Sequence, residues 1–138
     1  MTFVLSDVVG STRLWETAPA AMEAALARHD ELIANAVAAH GGVVLKPRGE
    51  GDSTFSVFVR ATDAVRAAHA AQLALVAEPW PADAPLEVRF AVHTGEAIEH
   101  DDDYFGPAVN RVARLRAIAG GGQVLVSGAT APLVVDQL

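Results

Sequence analysis

Residues 43–59, VVLKPRGEGDSTFSVFV, read as two strands joined by a Gly-rich turn, with β-branched and aromatic residues on either side of a polar centre. Asp52 stands where the second strand starts. Helical patterns flank this hairpin on both sides. Upstream, TFVLSDV (2–8) is an apolar, strand-favouring run that ends at Asp7, and the chain then turns at Gly10. From Ser11 to His40 the residues Met22, Leu26, Ile33 and Val37 fall near helical spacing, Pro19 separates a short helix from a long one, and HGG (40–42) stops it. Downstream, TDAVRAAHAAQLALVAE (62–78) predicts a helix with Thr62 as its cap and Val65, Leu73 and Val76 on its apolar stripe. A Pro-rich loop leads into the strand EVRFAVHTGEAI (87–98), an acidic turn EHDDDYFGP (99–107) and a helix through Asn110 and Arg114 that ends at AGGG (119–122). The strand QVLVS (123–127) and the start of another helix complete the chain. Hairpins mixed with crossover helices predict an α+β fold, a ferredoxin-like βαββαβ sheet with helices packed on it.

A length of 138 residues predicts one domain over 1–138, and a hydrophobic fraction of 51% can supply its core. Much of that fraction is Ala, which favours close-packed helices. A formal charge of −7 argues against a nucleic-acid partner, because binding through phosphate neutralisation needs a basic face. The chain has no Cys, so it carries neither a disulfide framework nor a thiolate metal site. Nothing resembles a leader peptide, and no uncharged apolar run approaches the roughly 18 residues of a membrane span. These features together predict a cytoplasmic protein.

Asp7 leaves a strand at a Gly-containing turn into a helix, where backbone N–H groups can hold an anion. Asp52 leaves the Gly-rich turn of the hairpin. If their strands are adjacent, the two carboxylates converge, and paired carboxylates beside free helix N–H groups suit Mg²⁺ carrying a triphosphate. The plainer reading makes Asp7 a helix cap and Asp52 a turn acid.

LSDVVGSTRL (5–14), GDSTFSVF (51–58), VRFAVHTGEA (88–97) and above all DDDYFGPAVNRVARL (101–115) followed by AGGGQVLVSGAT (119–130) closely resemble the catalytic domain of class III nucleotidyl cyclases, the adenylyl and guanylyl cyclase family. The resemblance runs in order from Thr2 to about Thr130. It implies a homodimer with active sites at the subunit interface that converts a nucleoside triphosphate, ATP or alternatively GTP, to a 3′,5′-cyclic monophosphate and pyrophosphate. It implies that Asp7 and Asp52, assisted by the Val8 carbonyl, hold two Mg²⁺ or Mn²⁺ ions, and that the turn Val9, Gly10, Ser11 and Thr12 cradles phosphate. It gives Asp103 the purine-selecting position, Asn110 the ribose and Arg114 the charge of the transition state. The reaction is an in-line attack of a ribose 3′-oxygen on the α-phosphorus, which needs an activated oxygen, neutralised charge and fixed alignment. Asn110 and Arg114 stand four apart, so on a helix they share a face.

Three features depart from the family pattern. The base-reading Lys expected four residues before the second metal Asp is Arg48, while Lys46 is out of register; Arg48 is therefore grouped with Asp103 in the base pocket. Glu50 in RGEGDS competes with Asp52 as the metal ligand, and the spacing from Asp52 to Phe58 favours Asp52. The chain ends at Leu138, before the hairpin on which the family carries a triphosphate-binding Lys. The first reading is thus an adenylate cyclase, its alternative a catalytically weak, dimerising pseudo-cyclase, and a diguanylate cyclase falls behind for want of a GG(D/E)EF signature. His93 is expected to pack in the core, and Trp15 and Trp80 to serve packing or an interface.

Overall fold

The computed structural model describes residues 1–45 and 52–138. The chain runs through β1 (Thr2–Val8), α1 (Ser11–Thr17), α2 (Pro19–Ala39), β2 (Val43–Leu45), β3 (Thr54–Phe58), α3 (Ala61–Ala77), β4 (Val88–Thr94), β5 (Ile98–His100), β6 (Asp103–Phe105), α4 (Pro107–Ile118), β7 (Val124–Val126) and α5 (Ala131–Val134). The main sheet has the order β2-β3-β1-β4-β7, with β1 antiparallel to both neighbours and β7 parallel to β4. Its β2-β3-β1-β4 portion is the ferredoxin-like arrangement expected of a βαββαβ chain, and α4 carries the chain across to add β7 beyond it. β5 and β6 form a separate two-stranded sheet.

A central strand covered on both faces explains the uninterrupted apolar run of β1. Successive side chains alternate between the two faces. Val4 and Val8 join Met22, Ile33, Val37, Leu75, Phe90 and Val92 in the core beneath α2 and α3. Phe3 and Leu5 join Phe55, Val57, Ala91, Val109 and Val112 in a second core beneath α4. Asp7, two residues beyond Leu5, therefore emerges on the α4 side.

The structure corrects four local expectations. The cap of α3 is Arg60, with no side-chain cap bond, and Thr62 is buried inside the first turn. Leu73 and Val76 on α3 are 58% and 70% exposed; the buried stripe is Ala64, Ala68, Ala71 and Leu75, because alanines let two helices approach closely. Asp52 lies in the turn two residues before β3 rather than in the strand. The acidic segment expected as a turn folds into the β5–β6 hairpin, with Asp101 and Asp102 at φ 51° and 62° across its tip. Pro19 does open the long helix, and Gly41 at φ 75° closes it as the Gly42 N–H returns to the Val37 carbonyl at 3.0 Å. No described helix is long and apolar enough to cross a membrane.

Candidate active site

The antiparallel register sets Asp7 directly opposite Arg89 of β4. Cross-strand neighbours on one face lie within side-chain reach, and here they form a two-pronged ion pair, Arg89 Nε to Asp7 Oδ1 at 2.6 Å and Nη2 to Oδ2 at 3.0 Å. These hydrogen bonds to Asp7 raise the Arg89 pKa above its ordinary value, outweighing the opposing effect of burial. The remaining Arg89 nitrogen, Nη1, donates to the Ala117 carbonyl at 3.2 Å, near the C-terminal end of α4. Arg116 reaches the same acid from α4, its Nε 3.5 Å from Asp7 Oδ2, while its Nη1 donates to Ser53 Oγ at 2.7 Å.

Asp52 is buried, and its Oδ2 accepts the Val8 N–H at 3.4 Å, so the two acids converge on the end of β1. The cap reading of Asp7 fails: Gly10 is the N-cap of α1, at φ 69°, and no side chain caps that helix. The turn that follows is narrower as an anion cradle than expected. Val9 already donates its N–H to the Glu87 carbonyl at 2.8 Å, which leaves the amides from Gly10 to Thr12 as the start of a helix whose first-turn donors have no acceptor within it.

Do these residues fit a divalent cation? Two carboxylates at adjacent positions are the hard oxygen donors that Mg²⁺ or Mn²⁺ requires, and no group of three or more potential ligand side chains occurs among the described residues. Two carboxylates would leave the other ligands of such an ion to phosphate oxygens and water. The two guanidiniums against Asp7 oppose it electrostatically.

Asn110 and Arg114 are both exposed on α4, and their four-residue spacing sets them on one face of it. Asn110 lines a cavity of about 200 Å³ together with Ser53, Thr54, Phe55 and Arg116, beside the Asp52 turn. Arg114 does not line that cavity and makes no hydrogen bond or ion pair among the described residues. Asp103 begins β6, whose next residue, Tyr104, packs its ring edge-on against Phe3 at 5.5 Å. Phe3 and Asp7 are four residues apart on β1, about 13 Å at the rise of a strand, so the purine-selecting candidate and the metal candidates lie toward opposite ends of that strand. Arg48, like Lys46 and Glu50, lies outside the described residues.

Arg89 and Arg116 were missed by the sequence reading, yet each left a signal. Arg89 is a lone cation inside the apolar strand VRFAV, where a charge is tolerated only if paired. Arg116 follows Val109 and Val112 by seven and four residues, on the stripe of α4 that faces the sheet. His93 is buried as expected, with Nδ1 2.7 Å from Ser127 Oγ, and Trp80 packs against the core and donates its indole N–H to the Leu75 carbonyl. Trp15 remains 40% exposed.

Residues 1–137 match the family described as the adenylate and guanylate cyclase catalytic domain. An uncharacterised protein of Mycobacterium tuberculosis is 42% identical over 138 residues, covering all of this chain and 46% of the relative. An adenylate cyclase of Podospora anserina is 34% identical over 152 residues, covering 92% of this chain and 7% of that protein. The crystal structure of an adenylate/guanylate cyclase/hydrolase from Silicibacter pomeroyi superposes with a TM-score of 0.82 at 32% identity, over 99% of this chain and 80% of that one. The chain thus spans less than half the length of the curated relatives named here.

Proposed function

The chain belongs to the adenylate and guanylate cyclase catalytic domain family, and from that premise we propose that residues 1–138 form one catalytic domain that converts ATP to 3′,5′-cyclic AMP and pyrophosphate at sites shared between two copies. The observation that carries the reading is the incompleteness of the site in a single copy. Asp7 and Asp52 converge at one end of β1. Arg114 faces outward from α4, and Asp103 lies toward the other end of the strand. A second copy related by two-fold symmetry can bring the missing half to each pair of acids. Exposed Val43 and Val44 on the β2 edge, with Ile98 and Phe105 on the small sheet, supply apolar surface for that contact.

In this reading Asp7 and Asp52, with the Val8 carbonyl, hold two Mg²⁺ or Mn²⁺ ions, which when bound activate the ribose 3′-oxygen and neutralise phosphate charge. The amides from Gly10 to Thr12 orient the phosphates. Asn110 fixes the ribose so that the 3′-oxygen lines up with the α-phosphorus, and Arg114 balances the charge that develops as pyrophosphate departs. Arg48 and Asp103 read the base. The adenylate cyclase name carried by the Podospora relative supports ATP over GTP. Incubation with ATP or GTP and Mn²⁺, with products separated by chromatography, tests the proposal. Cyclic AMP, formed in preference to cyclic GMP, is the expected result, and no cyclic nucleotide from either substrate overturns it.

A further inference from the structure

Asp7 faces more positive charge than it can neutralise. Arg89 occupies both of its oxygens with a fork, and Arg116 approaches Oδ2 from a different element. Arg116 is held there by its neighbours rather than by Asp7. Its Nη1 is anchored on Ser53 Oγ, while its Nε is buried with no hydrogen-bond partner among the described residues. A buried, unsatisfied guanidinium N–H is costly, and its ion-pair partner among the described residues is the Asp7 carboxylate at 3.5 Å. Among the described residues, one acid and two cations leave this end of β1 with a local excess of one positive charge, which Asp52 next door only balances.

We propose that Arg116 is a positioning residue that keeps Asp7 closed to a free divalent cation, so that metal enters this site only together with a polyphosphate. A dication arriving alone would add two positive charges beside two guanidiniums. A nucleoside triphosphate or inorganic triphosphate brings negative charge that draws the guanidiniums from Asp7 and offsets the metal. The coupling is reciprocal: bound polyphosphate raises the affinity for metal, and bound metal raises the affinity for polyphosphate by the same factor. The consequence is a site that ignores free Mg²⁺ or Mn²⁺ and responds to the metal–polyphosphate complex. This rests on the reading of Asp7 as a metal ligand, and it concerns a residue, Arg116, outside the roles given above.

The test uses Mn²⁺ alone, with no nucleotide present. Binding is followed by loss of the free-ion EPR signal and by the shift in melting temperature on adding the ion. Arg116→Met keeps the bulk of the side-chain stem and leaves Asp7 paired one-to-one with Arg89, so it creates no orphan charge at the acid. Removing one cation within a few ångströms of a partly buried dication should tighten Mn²⁺ binding about tenfold or more. Ser53→Ala, which frees the Arg116 Nη1, should produce a smaller gain in the same direction and serves if the first variant does not fold. Adding Asp7→Asn to Arg116→Met should abolish the gain. Unchanged Mn²⁺ affinity in both folded variants overturns the proposal, as does a gain that survives Asp7→Asn. The reading of the site as a cyclase fails separately: if Mn²⁺ behaves as expected and no cyclic nucleotide forms, the electrostatic closure stands and the catalytic reading falls; if product forms and Mn²⁺ affinity does not move, the reverse holds.

Discussion

Asp7 is 17% exposed at its side chain and is the counter-charge of Arg89 and Arg116, which are only 27% and 21% exposed. Replacing it with Ala should therefore destabilise the fold by about 1–3 kcal/mol, since two partly buried cations lose their partner. Asp52→Asn keeps an oxygen that can accept the Val8 N–H, so its urea midpoint should stay near wild type. Both changes should remove nearly all cyclic nucleotide formation, whereas Glu50→Gln should retain most of it. Equal stability of Asp7→Ala and wild type would show that the ion pairs contribute nothing; normal turnover in Asp52→Asn would remove it from the metal site. His93 makes a second test at this scale. Burial, and next the Arg111 charge, lower its pKa below the ordinary 6.5. The unfolded chain then takes up the proton at a higher pH than the folded one, so stability is complete above that value and declines as pH falls from it toward the lower folded pKa. The melting temperature should drop between about pH 7.5 and 5, and His93→Gln should flatten that drop. The two acids were legible from the residues as strand-end carboxylates beside glycine turns, but a cap and a turn acid explained them equally well there, and their convergence depended on β1 and β3 being neighbours. Their arginine partners depended on knowing the register.

The helices show why some elements were readable and others misleading. α2 carries its large apolar residues, Met22, Ile33 and Val37, on the buried face, so periodicity and structure agree. α3 does not. Its buried face is built mostly from alanines with Val65 and Leu75, while Leu73 and Val76, two of the three residues read as its apolar stripe, point to solvent. Size misled the reading because Ala64, Ala67, Ala68 and Ala71 fill most of the buried face, so that large residues do not mark it. Ala68→Leu should accordingly cost about 1–3 kcal/mol through overpacking, whereas Leu73→Ser should stay within about 0.5 kcal/mol of wild type in urea unfolding. Comparable losses in the two variants would mean that α3 is packed by its other face. The β5–β6 hairpin escaped for another reason: three-residue strands are too short to show a period.

At the scale of the whole molecule, the separation of Arg114 and Asp103 from the metal acids carries the prediction. Asp7→Ala and Arg114→Ala should each be inactive alone. Mixed under conditions that exchange subunits, half of the dimers become mixed, and each mixed dimer holds one intact site of two. About a quarter of wild-type activity should return, as expected for an isologous two-fold pair. A mixture that contains verified heterodimers and stays inactive would show that no site is shared between copies.

Fold class, the order of most elements and the family were determined by the sequence itself, because strand and helix periods, glycine turns and the long run from Asp101 to Leu115 are local properties of the chain. So were the two acids and the shared face of Asn110 and Arg114, which follow from spacing along one strand end, one turn and one helix. The tertiary structure alone decided what those acids touch. Only the antiparallel register of β1 with β4 sets Arg89 opposite Asp7, and only the seating of α4 on the sheet brings Arg116 to the same carboxylate. These contacts join residues 82 and 109 positions apart. Charge balance at the site is a sum over such distant neighbours, and no local pattern along the chain encodes it.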